Sequence, residues 1–224
     1  MVLHIKNHSI LRNVILIISM AFWASYSFGQ SSEKFFFNEF QISVNRSNVE
    51  NSSTENRFDF GLGAYHVFRA ENKFNFVFGV EYNQVNQYKS YVYNNGSSGL
   101  SDLTFNLSGL SVPIGVRYNF GSKTKVFIEG GGFADLFLIS KVKGTSYSYS
   151  TNEYGDRISL QKPYEDQFGG SYYGAYLGIG VRIPTSKFDI TIKPEYKFSI
   201  NQIEYEQSEL YNWYYRLNIG IGLK

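Results

Sequence analysis

Apolar residues occupy every second position over long stretches of the chain, and segment 110–138 shows this pattern most fully. A period of two predicts β-strands that each carry one apolar face and one polar or small face. The short polar connection 121–125 suits a hairpin turn between two such strands. The apolar face consists of Leu110, Val112, Ile114, Val116, Tyr118 and Phe120 in the first arm and Val126, Ile128, Ala134, Leu136 and Leu138 in the second. Each arm has about ten residues or more, the length at which a tilted strand crosses a bilayer.

The same alternation recurs along the chain and predicts eight strands. These are residues 36–45, 58–69, 74–82, 110–120, 126–138, 171–183, 188–200 and 211–223. Short turns at 70–73, 121–125 and 184–187 alternate with long polar segments at 46–56, 84–102, 141–169 and 201–209. Short turns at one end and long loops at the other are typical of an outer-membrane barrel. We therefore predict an all-β fold, an eight-stranded antiparallel up-and-down transmembrane β-barrel.

A soluble barrel of the lipocalin kind is the alternative, and it would turn its apolar face inward around a ligand. The second face of the predicted strands carries mostly Gly, Ser, Asn and charged residues, which favours the membrane barrel. Beyond the N-terminus, no apolar run is long enough for a transmembrane helix, so a helical membrane bundle is excluded. The chain has no cysteine, which excludes disulfides, thiolate nucleophiles and cysteine-bound metals.

The N-terminal segment 1–29 has the composition of a cleaved secretory signal peptide. Lys6 and Arg12 precede an apolar stretch at 14–23, and small or polar residues follow up to Gly29. We expect cleavage near residue 29, a mature barrel domain at 30–224 and a location in the bacterial outer membrane. Lys6 and Arg12 account for the whole formal charge of +2. The mature chain therefore lacks the basic footprint of a nucleic-acid-binding protein.

The predicted inward faces collect many charged residues of both signs. They are Glu39, Asp59, Arg69, Glu81, Arg117, Glu129, Asp135, Arg182, Asp189, Lys193, Glu195, Lys197 and Arg216. The interior of an eight-stranded barrel is only wide enough to be filled by side chains. We therefore predict a polar network in the lumen whose acids and bases neutralise one another. A narrow polar conduit is the functional alternative.

No catalytic, cofactor or metal site is predicted. His66 is the only histidine after the signal segment, and alternation places it outward near the short-turn end of its strand. An enzyme that acts on envelope lipid would need a histidine beside a nucleophile or an acid. Asp135 and Glu129 would serve as an acid–base pair only in an open cleft, and packing inside a filled barrel is the alternative for both.

Aromatic residues concentrate near the predicted strand ends and in the longest loop. A membrane-interface girdle accounts for Tyr88, Tyr91, Tyr93, Tyr172, Tyr173, Tyr211, Trp213, Tyr214 and Tyr215. The loop tyrosines are Tyr147, Tyr149, Tyr154 and Tyr164. We predict that these four either form a surface for a protein or glycan partner or lie on an extension of the flanking strands above the membrane.

Several runs resemble a known family. SVPIGVRYNF (111–120), FIEGGGF (127–133), AYLGIGVRI (175–183) and RLNIGIGLK (216–224) are similar to strands of the PorT-like outer-membrane β-barrel domain common in Bacteroidetes, of the OmpX-like barrel type. The resemblance covers essentially the whole mature chain and implies an outer-membrane barrel. The named member of that family is linked to protein secretion. The chain ends in Gly222-Leu223-Lys224, where Gram-negative barrels often end on an aromatic residue.

The expected function is structural or interaction-based. It would be exerted by a lipid-embedded monomer through the segments around 84–102 and 141–169, without a cofactor. A small channel or carrier for a modest solute is the second hypothesis, and a lipid-modifying enzyme is the third. The sequence therefore predicts location and architecture in more detail than activity.

Overall fold

A computed structural model describes residues 36–48, 58–69, 73–94, 98–121, 124–205, 208–210 and 213–223. Backbone contacts divide the chain into the units Met1–Phe36 and Phe37–Lys224, and the fold described below lies within the second. The signal peptide predicted at 1–29 lies outside the described residues. In the described part, no helix is long and apolar enough to cross a membrane.

Strands make up nearly all of the described part of the chain. They are β1 (Glu39–Asn48), β2 (Phe58–Arg69), β3 (Phe74–Asn94), β4 (Ser98–Phe120), β5 (Lys125–Thr151), β6 (Arg157–Gln167), β7 (Ser171–Pro184), β8 (Phe188–Ser199), β9 (Ile203–Tyr205), β10 (Ser208–Leu210) and β11 (Trp213–Leu223). Each strand pairs antiparallel with its neighbours.

The sheet closes on itself. The order is β4-β3-β2-β1-β11-β8-β7-β5-β6, and a further pairing of β4 with β5 joins the two sides. The barrel wall therefore contains β1, β2, β3, β4, β5, β7, β8 and β11. β6 pairs only with the C-terminal part of β5, residues 141–151. This closed eight-stranded antiparallel barrel confirms the predicted fold. Closure removes the free sheet edges of the wall.

Apolar side chains cover the outside of the wall. Ile42 is 58% exposed, Ile114 60% and Ile179 57%, whereas residues at alternating positions are buried. A water-facing barrel would not leave such a band uncovered, because an exposed apolar patch of this extent marks a lipid or protein contact. The hairpin turn predicted at 121–125 lies between β4 and β5, and Gly121 adopts φ +81° there, a left-handed conformation that glycine allows.

The strands extend further than the sequence pattern predicts. The structure contradicts the predicted loop at 84–102, because β3 continues to Asn94 and β4 begins at Ser98. Within the predicted loop 141–169, β5 continues to Thr151 and β6 follows. Residues 84–94, 98–108, 139–151 and 157–167 form one continuous sheet at the end of the barrel opposite the short turns, and we call it the projecting sheet. At about 3.3 Å per residue, segment 139–151 covers about 40 Å along its strand.

Candidate functional site

The interior of the barrel holds the largest group of charged side chains. Their positions follow from strand geometry, because every second residue of a wall strand points inward. On β8 this rule places Lys193, Glu195 and Lys197 on one inner face, and Lys193 and Lys197 have no exposed surface. Buried charges of this kind require partners, since an isolated ion in an apolar interior is very costly.

Glu81 on β3 is the most heavily bonded acid. Arg216 of β11 donates to both carboxylate oxygens, with distances of 2.6 and 2.7 Å from its two terminal nitrogens. Lys197 Nζ donates to Oε2 at 2.7 Å, and Asn83 Nδ2 donates to the same oxygen at 2.8 Å. The hydroxyl of Tyr65 donates to Oε1. Two bases therefore share this one carboxylate.

The pairing continues from Arg216 toward the next acid. Arg216 Nε lies 2.5 Å from Glu195 Oε1, and Lys193 Nζ lies 2.7 Å from Glu195 Oε2. Lys193 also donates to Glu129 Oε1 at 2.7 Å. Glu195 therefore lies between Arg216 and Lys193, and Glu129 lies between Lys193 and Arg117.

Arg117 on β4 extends the series of ion pairs toward the end of the barrel that has the short turns. Its Nε donates to Glu129 Oε2 at 2.5 Å, and its two terminal nitrogens donate to Glu39 at 2.8 and 3.1 Å. Arg182 Nη2 donates to Glu39 Oε2 at 3.0 Å. We call this alternating series the lumen network. In order, it consists of Lys197, Glu81, Arg216, Glu195, Lys193, Glu129, Arg117, Glu39 and Arg182.

The lumen network connects strands that are distant in sequence. Its members lie on β1, β3, β4, β5, β7, β8 and β11, and the Tyr65 hydroxyl adds β2. Arg216 and Glu81, for example, are 135 residues apart. Every strand of the wall is therefore bonded across the lumen as well as to its neighbours in the sheet.

Aromatic rings fill the space around the charges. Arg117 lies 4.4 Å from the centre of the Phe127 ring, and Lys197 lies 4.7 Å from that of Phe133, as in cation–π contacts. Glycines make room for such rings. A side chain at Gly180 would collide with Phe127, and one at Gly79 would collide with Tyr65.

Apolar side chains cover the network at the end of the barrel that carries the projecting sheet. One buried cluster contains Leu107, Phe133, Tyr172, Tyr176 and Ile203. A second buried cluster lies on the projecting sheet, and we call it the sheet cluster. It contains Leu100, Leu103, Phe105 and Val142, with Tyr164 and Phe168 packed against it. The polar lumen therefore does not open directly at this end, since buried apolar groups lie between it and the projecting sheet.

Of the predicted lumen residues whose side chains the structure describes, all except Asp59 are buried. Asp59 is half-buried and accepts bonds of 2.6 Å from the backbone and side-chain nitrogens of Asn86. The side chain of Arg69 lies outside the described part. Asp135 is buried beside Ser111, whose hydroxyl accepts a bond from Lys197, and Asp189 is buried on β8.

The prediction from sequence missed two lumen residues. Tyr172 and Tyr214, predicted for the interface girdle, have no exposed surface and point into the barrel. Strand alternation contains the signal that identifies them. Tyr172 is in phase with the inward Gly174, and Tyr214 is in phase with the inward Arg216. The prediction failed because aromatic type was given more weight than phase.

The four loop tyrosines do not form one surface. Tyr147 and Tyr149 share a face of β5, with ring centres 5.6 Å apart. Tyr154 lies in the turn between β5 and β6 and is 89% exposed. Tyr164 faces the other side of the sheet and packs on the sheet cluster. The extension of the flanking strands, the second prediction for this segment, describes the positions of Tyr147, Tyr149 and Tyr164.

His66 points outward, as alternation predicts, and its ring lies 4.1 Å from that of Phe68. Among the described residues, no group of His, Asp and Glu side chains is placed to hold a metal ion.

Solved structures with a related backbone come from several bacteria, at low identity. Neisserial surface protein A is 11% identical, with a TM-score of 0.47, and the match covers 84% of this chain and 96% of that chain. Ail of Yersinia pestis, in complex with the heparin analogue sucrose octasulfate, is 13% identical, with a TM-score of 0.41, and the match covers 84% of this chain and 96% of that chain. A major outer membrane protein from Thermus thermophilus is 9% identical, with a TM-score of 0.44, and the match covers 83% of this chain and 98% of that chain. No curated protein sequence matches the chain.

The family model described as "Outer membrane protein beta-barrel domain" matches residues 28–205, which is most of the chain. The closed barrel and its apolar outer band agree with a place in the bacterial outer membrane. The chain belongs to the outer membrane protein beta-barrel domain family.

Proposed function

We propose that the protein is a monomeric, non-conducting and non-enzymatic outer-membrane barrel. Its lumen network seals the interior, and its role is to hold the projecting sheet at the cell surface as an interaction site. The observation that carries this proposal is that all nine members of the network are buried. Arg117, Lys193 and Lys197 have no exposed surface although they lie at the centre of the barrel. A water-filled channel would leave such side chains accessible.

The charge pattern supports a sealed lumen over a conduit. A selective pore is lined by rings of one sign that an ion can approach. Here the acids alternate with bases at 2.5–3.1 Å, so their bonding capacity is directed to one another. The small-solute channel is therefore the weaker alternative. The affiliation with PorT-like barrels remains a prediction from the strand sequences given above.

Single-channel recording in a planar bilayer tests the proposal. We expect the purified wild-type barrel to insert without current steps. A matched variant, Tyr65→Ala with Tyr176→Ala, removes two rings that fill the lumen and is expected to give small steps. This variant shows that insertion is detectable when the lumen is opened. Steady, ion-selective steps from the wild type would overturn the proposal in favour of the channel.

A further inference from the structure

We propose that the outer face of the projecting sheet binds a neutral oligosaccharide chain. The inference rests on the proposed function, because it names the partner class for the same sheet. The site is a patch that we call the tyrosine face. It consists of Gly99, Ser101, Thr145, Tyr147, Tyr149, Ser159 and Gln161.

Strand register brings these residues together. Gly99 and Gln161 are the direct neighbours of Tyr147 on the two flanking strands. Ser101 lies opposite Thr145, and Ser159 lies opposite Tyr149. Directly opposed residues share one face of a sheet. The result is a patch that spans β4, β5 and β6 and is held by backbone hydrogen bonds.

Gly99 sets the orientation of the Tyr147 ring. A side chain at position 99 would meet the hydroxyl, Cζ and Cε1 atoms of Tyr147, which is the far end of that side chain. The ring therefore extends across β4 and does not stand upright from the sheet. Tyr147 and Tyr149 are in contact at 5.6 Å between ring centres, at an angle of 66°. The Tyr147 ring therefore covers Gly99, which is buried, and Tyr149 is 39% exposed beside it.

The tyrosine face carries no charged residue. Asp102 lies at its edge, where its carboxylate accepts bonds from the hydroxyls of Ser101 at 3.0 Å and Tyr88 at 2.7 Å. Closer to the membrane, Lys143 and Glu165 pair with each other at 3.5 Å. Toward the tip, the next charged position is Arg157, opposite Thr151. The patch therefore offers hydroxyl and amide groups with one carboxylate at its edge. This set suits an uncharged ligand whose hydroxyls can donate to the carboxylate, and it disfavours an anionic ligand.

The combination of groups favours sugar over protein. The negative face of an aromatic ring attracts the polarised C–H bonds of a pyranose, and nearby Ser, Thr and Gln side chains supply adaptable hydrogen bonds. A protein interface needs an apolar core. The exposed aliphatic residues of the same hairpin, Ile158 and Leu160, alternate in phase with Tyr164 and lie on the opposite face.

The test is titration calorimetry of the refolded full-length barrel against maltohexaose, cellohexaose, laminarihexaose and mannohexaose. A detergent without a sugar headgroup is required, because a maltoside would compete for the site. We expect at least one neutral hexasaccharide to bind. Tyr149→Ala should weaken binding about threefold to tenfold, the range for the loss of one aromatic contact. Tyr149→Phe, which keeps the ring, should retain it.

Leu160→Ala is the matched control. It truncates an exposed side chain on the same hairpin but on the opposite face, so binding should remain unchanged. Compact migration of unboiled samples on SDS gels confirms that each variant is folded. Three results would overturn the inference: no binding of any neutral hexasaccharide, binding that Tyr149→Ala leaves unchanged, or binding of a dextran sulfate fragment alone. If the wild type is silent in bilayers but binds no sugar, this inference fails while the sealed-barrel proposal stands.

Discussion

Glu81 accepts bonds from Arg216, Lys197, Asn83 and Tyr65 inside the barrel, where it is 1% exposed. Glu165 instead faces a single lysine across 3.5 Å, and both of those side chains are more than half exposed. Water and salt screen the exposed pair, which limits its contribution to stability to less than about 1 kcal/mol. In the buried group, removal of the acid takes the bonded carboxylate from Lys197 and leaves Arg216 with Glu195 alone. Breaking a buried ion pair in this way costs about 3–5 kcal/mol.

We therefore expect Glu81→Ala to lower the free energy of unfolding by about 3–5 kcal/mol and Glu165→Ala by less than about 1 kcal/mol. The two variants lose the same atoms, so side-chain size cannot explain a difference between them. Urea unfolding in lipid vesicles, followed by tryptophan fluorescence, measures both values. Equal losses would show that the lumen network contributes no more to stability than a surface ion pair.

At the scale of the strand, the alternation rule worked inside the membrane band and failed above it. The bounds of β2 at Phe58–Arg69 match the prediction, because lipid on one side and a polar lumen on the other impose a period of two. Above the band, water replaces lipid, so the outward face of the strands turns polar. The strand signal then disappears, and segment 84–102 looks like a loop although it is a hairpin of β3 and β4.

Limited proteolysis distinguishes paired strands from loops in segments 84–102 and 141–169. Trypsin requires an unfolded stretch around its cleavage site, and paired strands provide one only by local opening. We expect Lys89 and Lys141, which lie within β3 and β5, to resist cleavage in the folded barrel. Mass spectrometry of the fragments identifies the sites.

The heat-unfolded protein serves as the control, since both sites should be cut rapidly there. Equally rapid cleavage after Lys89 or Lys141 in the folded barrel would show that these segments are loops, as the sequence pattern predicts.

At the scale of the molecule, the sequence predicted which residues point inward but not which of them meet. Phase alone placed Glu39, Arg117 and Arg182 inside, and burial agrees. Their partners depend on how far each strand is shifted against the next around the closed wall, which no local pattern records. Arg117 and Glu129, opposed on adjacent strands, are the kind of pair that a hairpin pattern can suggest. The Arg216–Glu81 pair across 135 residues is not.

Closure itself depends on the last strand. β11 pairs with β1 on one side and β8 on the other, and it also supplies Arg216 to the lumen network. We expect the full chain in unboiled SDS samples to migrate as a compact, fast band and to shift to a slower band after boiling. The physical reason is that a closed ladder offers detergent no free edge from which to open. A chain that ends before Trp213 leaves β1 and β8 as free edges and Glu81 without its arginine, so it should give only the slow band. If the shortened chain still showed the heat-dependent shift, closure through β11 would be refuted, and another strand would have to complete the wall.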